Sequence, residues 1–271
     1  MHSIAEKYIR TSALPTIFCP GCGHGTVLNA FLRAVDELDI FDSLGLVSGI
    51  GCSSWTPVFV DTDVMHTLHG RAPAFATGLK MANPELNVVV FSGDGDCAGI
   101  GGNHLIHAAR RNIDMTLLML DNEIYGMTGG QVSPTTPTHA KSQTTPLGNP
   151  EHGFDVCGLV TAAGATHVSR YTTAQSRALV KGLKAALSHK GFSFVHIISQ
   201  CPTQAGRYIH GLSSPGEYLK MIREQSIPRA AAEKLSPQDR AGKIITGLLH
   251  RDSDKAEFID QTRRMKAGAK A

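Results

Sequence analysis

The sequence predicts an α/β fold built on a doubly wound parallel sheet. Three observations carry that expectation. The short, mainly apolar runs NVVVF, MTLLML and FSFVHIIS have the length and continuity of strands buried on both faces. Between such runs lie stretches with helical spacing, so strand and helix alternate along the chain. The runs NVVVF and MTLLML lead into GDGD and DNEIYG, which places acidic and amide side chains at the edge where parallel sheets bind ligands.

Taken in order, a short N-terminal arm and CPGCGHG lead into TVLNAFLRAVDELDI. There Val27, Leu28, Phe31, Leu32, Val35 and Leu38 recur at helical spacing, which predicts an amphipathic helix. LGLVSGIG reads as a buried strand ending in glycines, and RAPAFATGLKMANPEL as a small-residue helix that Pro84 helps to stop. NVVVF, HLIHAARRN and MTLLML then form a strand, a helix and a strand, the length of a βαβ unit. From Gly126 to Pro150 the chain is rich in Gly, Thr, Ser and Pro without an apolar period, which predicts a long loop. Loops of this length in a compact domain are functional or disordered. DVCGLVTAAGA and TTAQSRALVKGLKAALSHK read as helices, and THVSR and FSFVHIIS as strands. Beyond residue 212 the chain is polar and charged, with KIITGLL as its one strong apolar stretch. We therefore expect a domain over 1–212 and an extension over 213–271, packed on the domain or on a partner subunit.

Composition narrows the function classes. Lys and Arg number 26 against 23 Asp and Glu, and they are interspersed, so no basic stripe points to nucleic acid. No apolar run approaches the ~20 residues of a membrane span, and MHSIAEKYIR lacks the apolar centre of a signal peptide. A cytoplasmic protein without membrane contact is expected. In that compartment the 6 cysteines are read for metal or catalysis rather than as a disulfide framework. The 28 glycines in 271 residues exceed the usual ~7% and follow no period, as expected where backbone approaches a ligand closely.

GDGD by itself is an Asp-Gly turn, and such turns are most often only turns. Its meaning changes with DNEIYG. Neighbouring strands would bring Asp94 and Asn122 to one point. A carboxylate, an amide oxygen and a backbone carbonyl suit a small hard cation such as Mg2+, with phosphate oxygens and water as its remaining ligands. The cysteines are less decisive. Cys19 and Cys22 form a CxxC pair, and Cys52 and Cys201 each follow a predicted strand at the same edge. Four cysteines there suit tetrahedral zinc or a four-iron, four-sulfur cluster, and spacing alone leaves both open. Cys157, within a predicted helix, and Cys97 read as small core residues.

GDG followed by an asparagine after a further helix and strand resembles the thiamine diphosphate motif of transketolases, decarboxylases and oxoacid oxidoreductases. The wider set CPGCGHG, GIGCSS, HGRA, GDGD, NHLIHAARRN, IYGMTGGQ, SPTT and QCPT resembles the beta subunit of 2-oxoacid:ferredoxin oxidoreductases over residues 19 to 212. The resemblance implies a sheet of the thiamine diphosphate-binding type. It places Mg2+ on the side chains of Asp94 and Asn122 and the carbonyl of Ile124. It places a 4Fe-4S cluster on Cys19, Cys22, Cys52 and Cys201. Thiamine diphosphate contacts fall on Ile50, Gly51, Cys52, Ser53, His69, Gly95, Asp96, Gly126 and Met127.

The implied activity is oxidative decarboxylation of a 2-oxoacid with coenzyme A, with electrons passing through the cluster to ferredoxin. CPGCGHG, GMTGGQ and QCPT are most similar to the 2-oxoglutarate type, although Trp55 stands where relatives often carry a basic residue. The carboxylate that activates thiamine is expected from a separate alpha subunit, with gamma and delta subunits as further candidates. Two rivals are a non-oxidative thiamine-dependent decarboxylase subunit, and pyruvate or branched-chain oxoacid specificity.

Overall fold

The computed structural model describes residues 3–212 and 214–269. Its main sheet contains β1 (Leu44–Ser48), β2 (Val64–His66), β3 (Asn87–Gly93) and β4 (Met115–Asp121). After a small two-stranded ribbon, β5 (Ile124–Tyr125) with β6 (Gln131–Val132), it continues with β7 (His167–Thr172), β8 (Phe192–Ile198), β9 (Ser226–Pro228) and β10 (Ile244–Arg251). The spatial order is β2-β1-β3-β4-β8-β7-β10-β9. The six strands from β2 to β7 in that order run parallel, while β10 lies antiparallel to β7.

Helices α1 (Ser3–Tyr8), α2 (His24–Leu38), α3 (Ala72–Ala82), α4 (Gly102–Arg111), α5 (Val156–Ala162), α6 (Ser176–Leu187) and α7 (Pro215–Gln225) surround it. The period-2 geometry of a strand explains why both faces are covered. Val88 and Val90 of β3, with Leu117 and Met119 of β4, pack under α3, α4 and α5. Their neighbours Val89, Phe91, Leu118 and Leu120 pack under α2 and α6. The rings of Phe31 on α2 and Phe91 on β3 meet edge to face, centroids 5.1 Å apart. Each fully buried side chain of this size contributes about 1.5–3 kcal/mol.

The strand order also positions the site. After β4 the chain passes beyond the neighbouring position to lay down β7 and returns to insert β8 beside β4. The carboxyl ends of β1, β3, β4 and β8 are therefore side by side. GDGD does not simply reverse the chain: Gly95–Ile100 forms a π-helical turn that feeds α4. The sequence from 126 to 150 lacks long elements but is held by its own polar groups. Thr136 Oγ1 donates to the Glu123 carbonyl at 2.5 Å, and Asn149 Nδ2 donates to the Thr136 carbonyl at 3.1 Å.

Beyond residue 212 the chain adds structure that the apolar pattern did not reveal. The KIITGLL run falls in β10, which extends the sheet past β7. β9, β10 and the edge strand β2 are partly exposed, so they lack the continuous apolar signature of the central strands. Among the described residues no helix is long and apolar enough to cross a membrane.

Candidate functional site

The loops at the carboxyl edge enclose one cleft. The loop after β1 contributes Ile50, Gly51, Cys52 and Ser53, and the end of β3 contributes Asp94, Gly95 and Asp96. The end of β4 and the ribbon contribute Asn122, Ile124, Gly126 and Met127, and His69 enters from the turn before α3. Thus every position that the resemblance assigned to thiamine diphosphate or Mg2+ lies on this one wall. The absence of a side chain matters at two of them. A Cβ on Gly95 would stand 2.3 Å from the Tyr125 ring, whose hydroxyl donates to the Gly95 carbonyl at 2.9 Å. Gly51 has φ +110, a region that L side chains rarely adopt.

The two aspartates of GDGD do different work. Asp96 braces the loops. Its carboxylate accepts from the backbone N–H of Gly70 at 2.7 Å and of Ile50 at 3.2 Å, and from the Ser92 hydroxyl. His69 Nδ1 lies 2.6 Å from the same carboxylate, and Arg71 donates to the His69 carbonyl at 3.2 Å.

Asp94 is 2% exposed and faces another carboxylate. Thr135 Oγ1 lies 2.8 Å from both Asp94 Oδ2 and Asp121 Oδ1. A hydroxyl has one proton and can serve only one of these oxygens at a time. Burial, then the Asp121 charge, push the Asp94 pKa up to about 7, against the pull of the Ser133 and Thr135 hydroxyls. A cation at Asp94 would relieve that repulsion. The carboxylate, the Asn122 amide and the Ile124 carbonyl form the hard oxygen donor set that Mg2+ takes, so the residues fit the ion.

Asp121 behaves oppositely. Burial would raise its pKa, but the hydrogen bond and charge of His196, the Glu123 N–H and Thr135 outweigh it and hold it low. His196 Nε2 lies 2.7 Å from Asp121 Oδ2. Burial opposes a charge on His196, yet Asp121 pushes its pKa up to about 9. Arg170 Nε approaches Nδ1 as a donor at 3.0 Å, a contact that a doubly protonated ring could not accept. The Nε2 proton serves Asp121 in either protonation state of the ring, and the Arg170 contact belongs to the neutral one.

Cys19, Cys22, Cys52 and Cys201 line a second cavity, together with Phe18, Trp55 and Thr203. Thr203 Oγ1 sits 3.7 Å from Cys19 Sγ and 3.5 Å from Cys201 Sγ. Burial, opposed at Cys22 by a backbone hydrogen bond at His24, raises the Cys22 thiol to about 12 and the Cys52 thiol to about 11, and the neighbouring cysteines add to both. Neighbouring thiols that resist ionisation would become thiolates on binding iron. Among the described residues no three His, Cys, Asp or Glu side chains close up into a metal site by themselves. The fit to a cluster therefore rests on four sulfurs facing one cavity rather than on a closed ligand shell. The two cavities share a wall made of Cys52, Asn122, Gly126 and Met127.

Cys97 is fully buried among α3 and α4, as a core residue. Cys157 is also in the core, with Sγ 3.7 Å from His196 Nδ1. His104 and His107 are only partly buried on α4, and Arg110 Nε donates to His107 Nδ1 at 3.4 Å. The sequence reading missed Tyr125, Thr135, Asp121 and His196. The one available signal was His196 itself, a titratable residue interrupting the apolar run FSFVHII.

Residues 49–197 match the family model of the C-terminal TPP-binding domain of thiamine pyrophosphate enzymes. The fold and cleft therefore define a thiamine diphosphate-binding enzyme domain. The chain is 51% identical over 256 residues to the 2-oxoglutarate synthase subunit KorB of Methanothermobacter marburgensis, covering 94% of this chain and 89% of that one. It is 36% identical to the beta subunit of 2-oxoacid:ferredoxin oxidoreductase 2 of Aeropyrum pernix, covering 93% and 85%. A solved structure of 2-oxoglutarate:ferredoxin oxidoreductase from Magnetococcus marinus, with 2-oxoglutarate, coenzyme A and succinyl-CoA bound, superposes with a TM-score of 0.87. That chain is 37% identical, with 98% of this chain and 91% of that one covered. Within the thiamine-dependent class, the chain belongs to the beta subunits of 2-oxoacid:ferredoxin oxidoreductases.

Proposed function

We propose that this subunit carries the thiamine diphosphate, Mg2+ and 4Fe-4S sites of an enzyme that oxidatively decarboxylates 2-oxoglutarate with coenzyme A and reduces ferredoxin. The observation that carries the proposal is the shared wall. Cys52, Asn122, Gly126 and Met127 line both the cleft and the cysteine cavity, so a cofactor held in one and a cluster held in the other would lie on either side of the same four residues. Thiamine diphosphate held in the cleft would supply a nucleophilic carbon for a 2-oxo group and an electron sink for decarboxylation.

The chain's own residues bind and orient. Asp94, Asn122 and the Ile124 carbonyl hold Mg2+, and Gly51, where a Cβ would meet open space, lets backbone approach the diphosphate, while Gly95 and Gly126 line the cleft beside it. Ile50, Ser53, His69, Asp96 and Met127 shape the rest of the cleft. Cys19, Cys22, Cys52 and Cys201 hold the cluster. The carboxylate that activates thiamine comes from an alpha subunit, and substrate specificity follows the relatives named for 2-oxoglutarate.

The test is an anaerobic preparation of the assembled enzyme, followed by metal analysis, EPR of the reduced state, and viologen or ferredoxin reduction with 2-oxoglutarate and coenzyme A. Iron in place of zinc, a cluster signal lost in Cys201→Ala, and no turnover by this chain alone are the expected results. A colourless zinc protein would overturn the electron path. A higher kcat/KM for pyruvate would overturn the substrate, and robust turnover without a partner would overturn the divided site.

A further inference from the structure

We infer that His196 is a positioning residue for the cation site, acting through Asp121. The inference rests on the proposal that Asp94, Asn122 and Ile124 hold Mg2+. Asp121 closes β4 immediately before Asn122 and touches the supports of all three. Its Oδ1 accepts from the Glu123 N–H at 2.9 Å, within the turn that carries Asn122 and Ile124. Glu123 has φ 63, a conformation that a non-glycine residue adopts only when held. The same oxygen lies 2.8 Å from Thr135 Oγ1, and that hydroxyl also reaches Asp94.

Oδ2 of Asp121 faces His196 Nε2 at 2.7 Å. This contact sets the rotation of the carboxylate plane, and with it whether Oδ1 meets Glu123 and Thr135. The imidazole is itself fixed. Arg170 Nε donates to Nδ1 at 3.0 Å, and Arg170 Nη2 lies 3.4 Å from Asp155 Oδ1. His196 is 6% exposed, on the strand face opposite Val195 and Ile197. It lines neither cavity, and of its side-chain hydrogen-bond partners Asp121 is the one that leads toward the ion. Partners behind metal ligands typically change metal affinity by about 10- to 100-fold when lost.

Two substitutions separate positioning from packing. In His196→Asn the amide replaces the Nδ1 side of the ring, keeps an acceptor for Arg170, and stops short of Asp121. In His196→Gln the longer amide reaches Asp121 with an N–H. Mg2+ affinity is measured calorimetrically on the assembled enzyme at fixed thiamine diphosphate, together with the melting temperature without Mg2+. The Asn variant should bind Mg2+ about 10- to 100-fold more weakly, and the Gln variant should recover most of that loss at a similar melting temperature. Wild-type affinity in the Asn variant, or equal weakness in both, would overturn the inference while leaving the Mg2+ site standing. Failure of the unmodified enzyme to bind Mg2+ with thiamine diphosphate would overturn the underlying site instead.

Discussion

The two ends of the central sheet treat buried charge in opposite ways. At the amino end, Asp114 precedes β4 and sits between Lys80 Nζ at 2.7 Å and Lys190 Nζ at 3.0 Å, with the Gly191 N–H at 3.0 Å. Burial would raise its pKa, but these donors outweigh burial and lower it. Nearby, Asn112 Oδ1 accepts from Phe192 N at 2.7 Å and Thr166 Oγ1 at 2.8 Å, and Nδ2 donates to the Lys255 and Ala256 carbonyls. At the carboxyl end, Asp94 is buried against Asp121 and is pushed up to about 7. One end neutralises its carboxylate from within the chain. The other leaves a carboxylate that a cation from outside would complete.

Asp94→Asn puts the contrast to its strongest test. It should abolish Mg2+-dependent binding of thiamine diphosphate, a loss of at least about 100-fold for removal of the one charged group among the three proposed ligands. The metal-free fold should be no less stable, because an uncompensated buried charge is removed. Calorimetric binding and thermal melting without Mg2+ read the two effects separately. A melting temperature that fell by several degrees would show Asp94 to be structural after all.

Asp114→Asn should do the reverse. It leaves Lys80, whose side chain is 5% exposed, beside a neutral amide. Breaking a buried pair from one side destabilises by about 3 kcal/mol, read as a lower urea midpoint. Affinity for Mg2+ and thiamine diphosphate should stay unchanged, since this pair lies at the other end of the strands. Loss of cofactor affinity without loss of stability would break the division between the two ends.

What the sequence made legible follows the same division. NVVVF, MTLLML and FSFVHII are buried on both faces, so their apolar continuity reports their place in the middle of the sheet. Asp94 and Asn122 could be placed at the carboxyl edge because a short motif holds each at a strand end. Asp121, Thr135 and His196 could not be read, because their contacts exist only once β4, β8 and the loop around Thr135 are brought together. The amino-end pair was equally hidden: Lys80, Asp114 and Lys190 lie on separate elements and resemble ordinary surface charges in the sequence. β10 escaped for another reason. It has water on part of its surface, so nothing requires its residues to be apolar throughout.

Two buried histidines sharpen the comparison with a smaller effect. His196, near the carboxyl end, has Asp121 to work against its burial, and its pKa goes up. His167 begins β7 at the amino end, is 3% exposed, and among the described residues has no hydrogen-bond partner for either ring nitrogen. Burial, then the charges of His189 and Arg251, take its pKa down to about 4 from 6.5. The folded chain therefore resists a proton that the unfolded chain accepts. Stability from this group is complete above pH 6.5 and is lost as the pH falls toward 4. The loss amounts to about 2 kcal/mol at pH 5. In His167→Gln the fall in urea midpoint between pH 7 and pH 5 should be smaller by a corresponding amount. An unchanged pH slope in that variant would mean that His167 is not held neutral by its burial, and that the asymmetry between the ends stops at their carboxylates.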